Sequence, residues 1–470
     1  MAIKPKTYRA SDYHRFQQNL ALEIEDLSLA ISSNNVSKQK IKYGAELESW
    51  IVDKNNFDAQ AKNDWLLKEL SNKSFVPELS KFNVEYNSNV YDASGFCLKK
   101  FESELQIAEH KLRRAAESID CKVLHIGSLP NLSRNKMQIK NMSSKERYHT
   151  LNQQILDKNN GNPQHYKIEG ADEKLDFLSE SIMPVAATTS FQMHYQPVFE
   201  DFIPSYNACL YLSAPMLALT ANTPFLFGKR LWDESRIPLF EQSMPASAAH
   251  FGRVGLGCGF LKDSVCEYFR YNHDEYDVFF PENENFERGR FTHNSVHNGT
   301  IWHWNRVVVG SGDEGQDYGV RIEFRPVSAG PSSVDMTAHF AMFLGLAKNL
   351  SSENIGEEFR MEDLVENFYS AAKNSFDGKI LGLNQKQYSY QDYLIGELIP
   401  RAEQGLKDLG VEKEQIQYYL KNNILPRCKS KLNGANWQKA FVEKNGRDFS
   451  KMLSQYWENQ NKNLSLIEWK

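Results

Sequence analysis

The sequence predicts a protein of mixed α and β structure, in which a sheet is followed by a helical C-terminal region. Several segments alternate apolar and polar residues with the period of a β-strand, whereas others repeat apolar residues every three or four positions, as one helix face does. From Val334 onward the helical pattern dominates. The composition suits a globular fold, because 41% of the 470 residues are hydrophobic and 24% are charged.

Each predicted element follows from one of these two periods. The strands are predicted at residues 41–52, 82–89, 122–127, 188–197 and 318–327. The helices are predicted at residues 11–31, 65–70, 98–119, 206–219, 334–350, 361–376, 390–409, 412–420 and 437–457. Segment 133–180 is polar and only weakly periodic, so we expect it to form an excursion on the surface.

The composition argues against a protein that binds nucleic acid or a membrane. Lys and Arg number 55 against 60 Asp and Glu, and no block rich in Lys and Arg supplies a concentrated positive field. No run of about 18 apolar residues predicts a membrane helix, and the N-terminal residues lack the apolar core of a signal peptide. The six cysteines are scattered, as free thiols in a reducing compartment are. We therefore expect a cytoplasmic protein.

Charged residues recur on single faces of the predicted strands. Glu46 and Glu48 are two residues apart in the first strand, so their side chains project from the same side, about 6 to 7 Å apart. Carboxylates at this spacing can hold two adjacent cations or share one with a third ligand. Further donors of the kind that Mg²⁺ or Mn²⁺ accepts are Glu78, Glu85, His194 and Glu323. Any one of these residues alone is more typical of a solvated strand face.

The string RIEFR, from Arg321 to Arg325, strengthens the interpretation that these acids and His194 act together in one site. Two guanidiniums flank Glu323 on one face of an otherwise apolar strand. Arginine binds phosphate through two hydrogen bonds and stays charged, so this strand could present two phosphate clamps around a metal ligand. A ladder of salt bridges to neighbouring strands explains the same pattern. The residues alone leave both interpretations open.

Motifs of other enzyme classes are absent or weak. The chain has no P-loop, no G-x-S-x-G elbow and no H-E-x-x-H motif, and its G-x-G-x-G string lacks a βαβ setting. His293, His297 and His303 lie in a segment that resembles a loop, where surface or hydrogen-bonding roles are more common than a zinc site. Cys97 and Cys258 could be nucleophiles, but neither has a diagnostic neighbourhood.

An ordered set of strings resembles the motifs of one enzyme family. In chain order the strings are GAELESWIVD, PELSKFNVEYNSN, SFQMHYQPV, LALTANTPFLFGKRLWDESR, IWHWNRVVV and YGVRIEFRPVSAG. Together they resemble the glutamate-cysteine ligase and carboxylate-amine ligase family, whose fold is similar to that of glutamine synthetase. The resemblance covers residues 42–350. It implies an α+β fold in which a curved antiparallel sheet carries the active site and helices pack on its outer face.

The resemblance also implies roles for individual residues. The implied metal ligands are Glu46, Glu48, Glu78, Glu85, His194 and Glu323. The implied catalytic arginines are Arg306, Arg321 and Arg325, of which Arg306 approaches the transferred phosphate and Arg325 also binds the nucleotide. Asn222, in the string ANTPF, matches a family position that helps to shape the nucleotide site.

The implied reaction is an ATP-dependent ligation with Mg²⁺, or alternatively Mn²⁺, as the metal. The side-chain carboxylate of glutamate is activated as an acyl phosphate and then joined to an amine, with cysteine and glutathione biosynthesis as the family default. Residues 1–350 form the implied catalytic domain, and residues 351–470 are expected to form helices packed on it. Loops 281–299 and 310–319 are expected to cover the site, because they are rich in Gly, Asn and acidic residues.

Two departures from the family pattern leave the amine substrate open. Gln192 stands where many members have the first histidine of a His-x-His pair, and Leu47 stands where an acid is common. Three alternatives therefore remain beside glutamate-cysteine ligation: ligation to another amine, phosphotransfer of the guanidino-kinase type, and a non-catalytic regulatory role. The oligomeric state is open as well.

Overall fold

The computed structural model describes residues 5–36, 40–244, 252–282, 285–311 and 318–469. The strands in chain order are β1 (Lys42–Asp53), β2 (Phe75–Pro77), β3 (Asn83–Asn87), β4 (Tyr91–Asp92), β5 (Cys121–Leu124), β6 (Gln164–Glu169), β7 (Lys174–Ser179), β8 (Phe191–Gln196), β9 (Phe225–Leu226), β10 (Lys229–Arg230), β11 (Val254–Gly255), β12 (Trp302–His303), β13 (Asn305–Ser311), β14 (Tyr318–Phe324), β15 (Lys379–Leu381) and β16 (Gln387–Ser389).

The helices surround these strands and fill the C-terminal region. They are α1 (Ala10–Ser32), α2 (Asn63–Leu70), α3 (Cys97–Glu117), α4 (Glu146–Lys158), α5 (Phe202–Thr220), α6 (Arg236–Glu241), α7 (Cys266–Glu275), α8 (Thr292–Asn298), α9 (Ser333–Leu350), α10 (Ile355–Glu358), α11 (Met361–Asn374), α12 (Tyr390–Tyr393), α13 (Ile399–Asp408), α14 (Lys413–Ile416), α15 (Leu425–Lys429), α16 (Gly434–Asn445) and α17 (Phe449–Asn461). Wider, π-helical turns at Leu394–Leu398 and Gln417–Ile424 connect α12 to α13 and α14 to α15.

A single antiparallel sheet of eight strands carries the site. Its hydrogen-bonded order is β13, β14, β8, β1, β3 and β2, and β4 and β5 pair with the two ends of β1. The sheet curls into a half-barrel. The α+β prediction, with a curved antiparallel sheet and helices on its outer face, is confirmed.

Alternation along the strands separates an apolar outer face from a polar inner face. On β8, Phe191, Met193 and Tyr195 are buried, and the rings of Phe191 and Tyr195 pack against Phe340 and Phe343 of α9. Helices α5 and α9 are buried along nearly their whole length, as expected of helices that cover a sheet. The polar residues of the same strands therefore point into the half-barrel.

The C-terminal helices continue the same hydrophobic core. Helix α11 packs on α5, and α13 crosses α9. Gly345 of α9 and Gly405 of α13 meet at the crossing, where a Cβ added to Gly405 would lie 1.9 Å from the carbonyl oxygen of Gly345. The close approach requires glycine at this position, because any side chain would push the two helices apart.

Three segments differ from the sequence prediction. Segment 133–180 holds α4 and the β6–β7 hairpin, and α4 packs beside the polar face of the sheet through Tyr148 and Leu151. The predicted helix 437–457 is two helices, α16 and α17, because Gly446 adopts a φ of +77° between them. The predicted helical region after residue 350 also contains the β15–β16 hairpin. Among the described residues, no helix is long and apolar enough to cross a membrane.

A buried polar network ties the sheet to its covering helices. The hydroxyl of Ser333 donates to Glu109 of α3 at 2.7 Å, and the Nε2 atom of His125 lies 3.4 Å from the same carboxylate. The Nδ1 atom of His125 lies 2.9 Å from the hydroxyl of Ser49 on β1. Burial raises the pKa of Glu109 to about 7 and lowers the pKa of His125 to about 3. The histidine is therefore neutral throughout the physiological range.

Glu109 should make the protein less stable as the pH rises. Because its folded pKa lies above its unfolded value, its contribution to stability is fully present below pH 4.5 and is lost as the pH rises through about 7. Relative to the wild type, Glu109→Gln should gain up to about 3 kcal/mol in the free energy of unfolding between pH 5 and pH 8. Urea unfolding at both pH values measures this change. Glu117→Gln, an exposed change on the same helix, should show no such trend. Parallel pH profiles for wild type and Glu109→Gln would contradict the assignment.

Candidate active site

Three glutamates meet on the inner face of the half-barrel. Glu48 of β1 lies directly opposite Glu85 of β3 in the strand register, and Glu78 follows the end of β2, the neighbour of β3. One carboxylate oxygen of each lies within 4.8 Å of the others. Within the described ranges, this is the one group of three or more acid, histidine or cysteine side chains with the geometry to hold a metal ion.

Glu48, Glu78 and Glu85 form the trio, and both burial and mutual repulsion oppose ionisation of its carboxyl groups. Burial, followed by the charge of Glu78, raises the pKa of Glu48 to about 7. Burial also raises the pKa of Glu78, and it raises that of Glu85 well above its usual range together with the charges of Glu46, Glu78 and Glu48. A divalent cation between the carboxylates would relieve both effects, because it neutralises the charges that burial penalises.

Neighbouring strands fix the orientation of Glu48. Its Oε2 atom accepts a hydrogen bond from the backbone N–H of Ser190 at 2.7 Å. Its Oε1 atom accepts from the Ser190 hydroxyl at 2.9 Å and from the Gln192 amide at 3.0 Å. Gln192, which departs from the family pattern, therefore positions a member of the trio.

Two arginines hold Glu323, and all three residues come from the adjacent strands β13 and β14 or directly follow them. Arg306 donates three hydrogen bonds to Glu323, from Nε to Oε2 at 3.0 Å and from Nη2 to Oε2 at 2.7 Å and to Oε1 at 3.0 Å. Arg325 donates to Glu323 and to the side-chain oxygen of Gln192. Although burial acts to raise the pKa of Glu323, the charges of Arg306 and Arg325 hold it well below its ordinary value. The string RIEFR therefore contributes both to a cluster of salt bridges and to a concentration of guanidinium groups.

The remaining predicted ligands form a hydrogen-bonded chain beside this cluster. The Nε–H of Arg321 donates to Nδ1 of His194 at 3.2 Å. Nδ1 therefore accepts, and Nε2 of a neutral His194 carries the proton that it donates to Glu46 at 3.0 Å. In the structure described here, His194 and Glu46 bind each other and lie outside the trio, and Glu323 is occupied by its arginines.

A partly enclosed cavity of about 140 Å³ is lined by Glu48 and Glu78 of the trio. Its lining combines further polar residues, among them Asn83, Ser190 and Arg325, with apolar and aromatic ones. Arg236 of α6 also lines the cavity, is 3% exposed, and donates to the carbonyl oxygens of Arg325 and Pro326. Its Nε atom lies 3.7 Å from Oε2 of the buried Glu234, so Arg236 is ion-paired within the core. The Nε–H of Arg325 is buried without a hydrogen-bond partner.

A second, more open groove of about 330 Å³ lies on the other side of Glu46. It is lined by Glu46, His194 and Arg321 and by Lys42 at the start of β1. The acidic and basic residues of the half-barrel therefore lie between an enclosed cavity and an open groove.

Sequence reasoning missed Arg236 and Tyr148. Arg236 ends the string LWDESR, and the apolar run IPLF that follows it is the available signal that it is buried. Tyr148 lines the enclosed cavity from segment 133–180, which was expected to be a surface excursion. No periodicity in that segment indicates a contact with the sheet.

The structure places Asn222 away from the trio. Its side-chain amide donates to the carbonyl oxygen of Ala329 at 2.8 Å and to the Tyr456 hydroxyl at 2.9 Å, and its side-chain oxygen accepts from Gln438 at 2.8 Å. The residue is fully buried. Both ends of the amide are engaged by protein groups, so Asn222 ties the core to α16 and α17, and its part in shaping the nucleotide site stays a prediction.

The other predicted features have structural roles or lie outside the described residues. His293 is hydrogen-bonded to Glu23 at 2.6 Å, His297 contacts a backbone carbonyl, and His303 contacts two tyrosine hydroxyls. These histidines therefore do not form a metal cluster. Burial raises the pKa of Cys97 and raises that of Cys258 to about 12, as in unreactive thiols. Residues 292–298 of the expected loop 281–299 form the buried helix α8, and most of loop 310–319 lies outside the described residues.

Comparison with known proteins identifies a family. The model of glutamate-cysteine ligase family 2 (GCS2) matches residues 42–405. A glutamate-cysteine ligase from Francisella tularensis, solved in complex with AMP, has a TM-score of 0.56 and 11% identity and covers 91% of this chain and 90% of its own. No curated protein matches the chain.

Two further solved structures are more distant. A bifunctional glutathione synthetase from Pasteurella multocida has a TM-score of 0.48 and 11% identity and covers 94% of this chain and 55% of its own. The ligase PafA, in complex with the ubiquitin-like protein Pup, has a TM-score of 0.38 and 9% identity and covers 89% and 73%. Because the family model matches most of its length, the chain belongs to glutamate-cysteine ligase family 2 and is an ATP-dependent ligase that forms C–N bonds.

Proposed function

We propose that the protein joins the side-chain carboxylate of glutamate to the amine of cysteine, in the first step of glutathione synthesis. The observation that carries this proposal is the placement of the trio Glu48, Glu78 and Glu85 next to the guanidiniums of Arg325 and Arg306 in one half-barrel. A metal-binding acid cluster beside fixed positive charge is what transfer of a phosphoryl group to a carboxylate requires.

The trio fits a divalent cation such as Mg²⁺ or Mn²⁺. Its three carboxylates supply the hard oxygen ligands that these ions prefer, and burial, with mutual repulsion, raises their pKa values in a way that a cation would offset. When bound, the ion would offset charge on the phosphate oxygens of ATP. Glu46, His194 and Glu323 stay candidate ligands for a further ion, which would have to replace their present hydrogen bonds.

The arginines would stabilise the transferred phosphoryl group. Arginine keeps its charge in the protein interior, and Glu323 fixes the orientation of Arg306 and Arg325 before a substrate arrives. Arg325 lines the cavity beside Glu48 and Glu78, so its guanidinium lies where a phosphate oxygen could approach. A well-placed donor of this kind contributes about 3 kcal/mol to transition-state stabilisation.

The two openings suggest which substrate enters from which side. The cavity of about 140 Å³ is the smaller and more enclosed, and it is lined by Arg236 and Arg325, whose positive charge could attract the carboxylate of an amino acid. The groove of about 330 Å³ is open to solvent and carries Arg321 and Lys42, which suit the phosphates of ATP. Glutamate would then meet the γ-phosphate between the openings, beside the trio.

The reaction proceeds in two displacements. A carboxylate oxygen of glutamate attacks the γ-phosphorus, the bond from phosphorus to the bridging oxygen breaks with its electron pair going to ADP, and an acyl phosphate forms. The neutral amine then attacks the acyl carbon, phosphate leaves with the electrons of the C–O bond, and the departing phosphate takes the proton that the amide nitrogen loses. The enclosed cavity limits access of water, which would otherwise hydrolyse the acyl phosphate.

The products of ATP turnover distinguish this proposal from its alternatives. With Mg-ATP and glutamate, we expect release of ADP and phosphate to depend on cysteine and to yield γ-glutamylcysteine, detected by mass spectrometry. Amide formation only with another amine would keep the mechanism and replace the acceptor. Transfer of phosphate to a stable product without an amine would indicate a phosphotransferase. Binding of ATP without turnover in the presence of any acceptor would favour a regulatory protein.

Removal of one carboxylate from the trio should weaken metal binding and stabilise the metal-free protein. At pH 8, Glu85→Gln should raise the free energy of unfolding of the metal-free protein by about 1 kcal/mol, because it removes repulsion among buried acids. The same change should weaken Mn²⁺ binding at least tenfold, because it removes a ligand. Urea unfolding and Mn²⁺ titration measure the two effects. Glu69→Gln, an exposed change on α2, should alter neither. Unchanged Mn²⁺ affinity in Glu85→Gln would exclude the trio as the metal site.

A further inference from the structure

Glu78 depends on a neighbouring segment for its position. Unlike Glu48 and Glu85, it lies just beyond a strand, in the residues between β2 and β3. Pairing with β3 ends at Pro77, so the sheet itself does not fix the Glu78 backbone. Contacts from outside the sheet must do so if this carboxylate is to stay within 4.8 Å of its two partners.

Segment 141–148 supplies these contacts. The hydroxyl of Tyr148 donates to the carbonyl oxygen of Pro77 at 3.0 Å, and the hydroxyl of Ser143 donates to the carbonyl oxygen of Glu78 itself. The backbone N–H of Ser143 donates to the Leu79 carbonyl at 2.9 Å. Hydrogen bonds from one segment thus reach three consecutive residues centred on Glu78.

The residue before Tyr148 reaches the opposite side of the half-barrel. Nη2 of Arg147 donates to the carbonyl oxygen of Gly299 at 3.2 Å. Gly299 follows Asn298, whose carbonyl oxygen accepts from Arg306 at 3.4 Å and whose side chain donates to the backbone of β13 at 2.7 Å. Two adjacent residues at the start of α4 therefore connect the loop of Glu78 to the strand that carries Arg306.

Tyr148 also lies over the enclosed cavity. Its side chain lines the cavity together with Glu48, Glu78 and Arg325. The ring is half-buried, and Leu151, one turn further along α4, continues the same wall. The start of α4 thus covers the space between the acids and the arginines.

We propose that Tyr148 is a positioning residue and that Arg147 and Tyr148 together form a strap across the half-barrel. The strap holds Glu78 in register with Glu48 and Glu85, and it keeps the wall of the cavity closed over the reacting groups. The first role concerns metal binding alone. The second rests on the proposed ligase function, because it concerns the protection of an acyl phosphate from water.

Tyr148→Phe tests the strap, because it keeps the ring and removes only the hydroxyl that donates to Pro77. We expect Mn²⁺ binding, measured by titration of the purified full-length protein without substrates, to weaken about tenfold, as it does when groups that orient metal ligands are lost. With Mg-ATP, glutamate and the productive amine, we also expect more ADP released for each amide formed. Arg147→Ala, a change at an exposed side chain, should raise the same ratio of ADP to amide.

Tyr13→Phe is the matched control. The hydroxyl of Tyr13 on α1 donates to Gln154 of α4 at 3.2 Å, so this change also removes one tyrosine hydrogen bond to α4, but away from the cavity. It should leave both Mn²⁺ affinity and the ratio of ADP to amide at wild-type values. Thermal unfolding of the variants shows whether a change in affinity merely follows a loss of stability.

The outcomes separate the strap from the ligase function. Weaker Mn²⁺ binding in Tyr148→Phe, with Tyr13→Phe unchanged and both proteins folded, supports the positioning role even if no amine is ligated. Wild-type Mn²⁺ affinity in Tyr148→Phe, or an equal loss in Tyr13→Phe, overturns it. If Tyr148→Phe does not fold, Arg147→Ala decides through the ratio of ADP to amide, and an unchanged ratio overturns the strap.

Discussion

Acidic side chains lie close together inside the half-barrel, and the surrounding structure holds them there despite their mutual repulsion. Three carboxylates approach within 4.8 Å of one another in a buried position, where water screens them poorly. Raised pKa values at Glu48 and Glu85 reflect this confinement. On the neighbouring strands the opposite arrangement holds, because Arg306 and Arg325 neutralise Glu323. A cluster of acids whose ionisation is opposed therefore faces a cluster of arginines that stay charged.

This arrangement depends on strand register and on the helices behind the sheet. Glu48 meets Glu85 because β1 and β3 pair in that register, and Arg306 meets Glu323 through the pairing of β13 with β14. A shift of one residue would turn every one of these side chains to the outer face. The aromatic contacts of β8 and β14 with α9 prevent such a shift, because they commit the alternate residues to the core. The packing of the outer face thus fixes the chemistry of the inner face.

Alternation in the sequence predicts the part of the site that lies within strands. Glu46 and Glu48 share one face of their strand, and Arg321, Glu323 and Arg325 share one face of theirs. Both facts can be predicted from the sequence, because strand geometry alone determines them. The position of Glu78 is different, since hydrogen bonds from residues more than 60 positions away determine it. The roles of Arg236 and Tyr148 likewise arise from tertiary packing. Asn222 differs again, because its family motif predicts a part in the site, whereas its side chain is fully hydrogen-bonded within the core.

The proposed chemistry requires the trio Glu48, Glu78 and Glu85 to bind a divalent cation beside the arginines. Diffraction from crystals soaked in Mn²⁺, recorded at the manganese absorption edge, would locate that cation. We expect an anomalous peak about 2.0 to 2.3 Å from one carboxylate oxygen of each of the three residues. Manganese bound elsewhere in the half-barrel, with this trio empty, would contradict it.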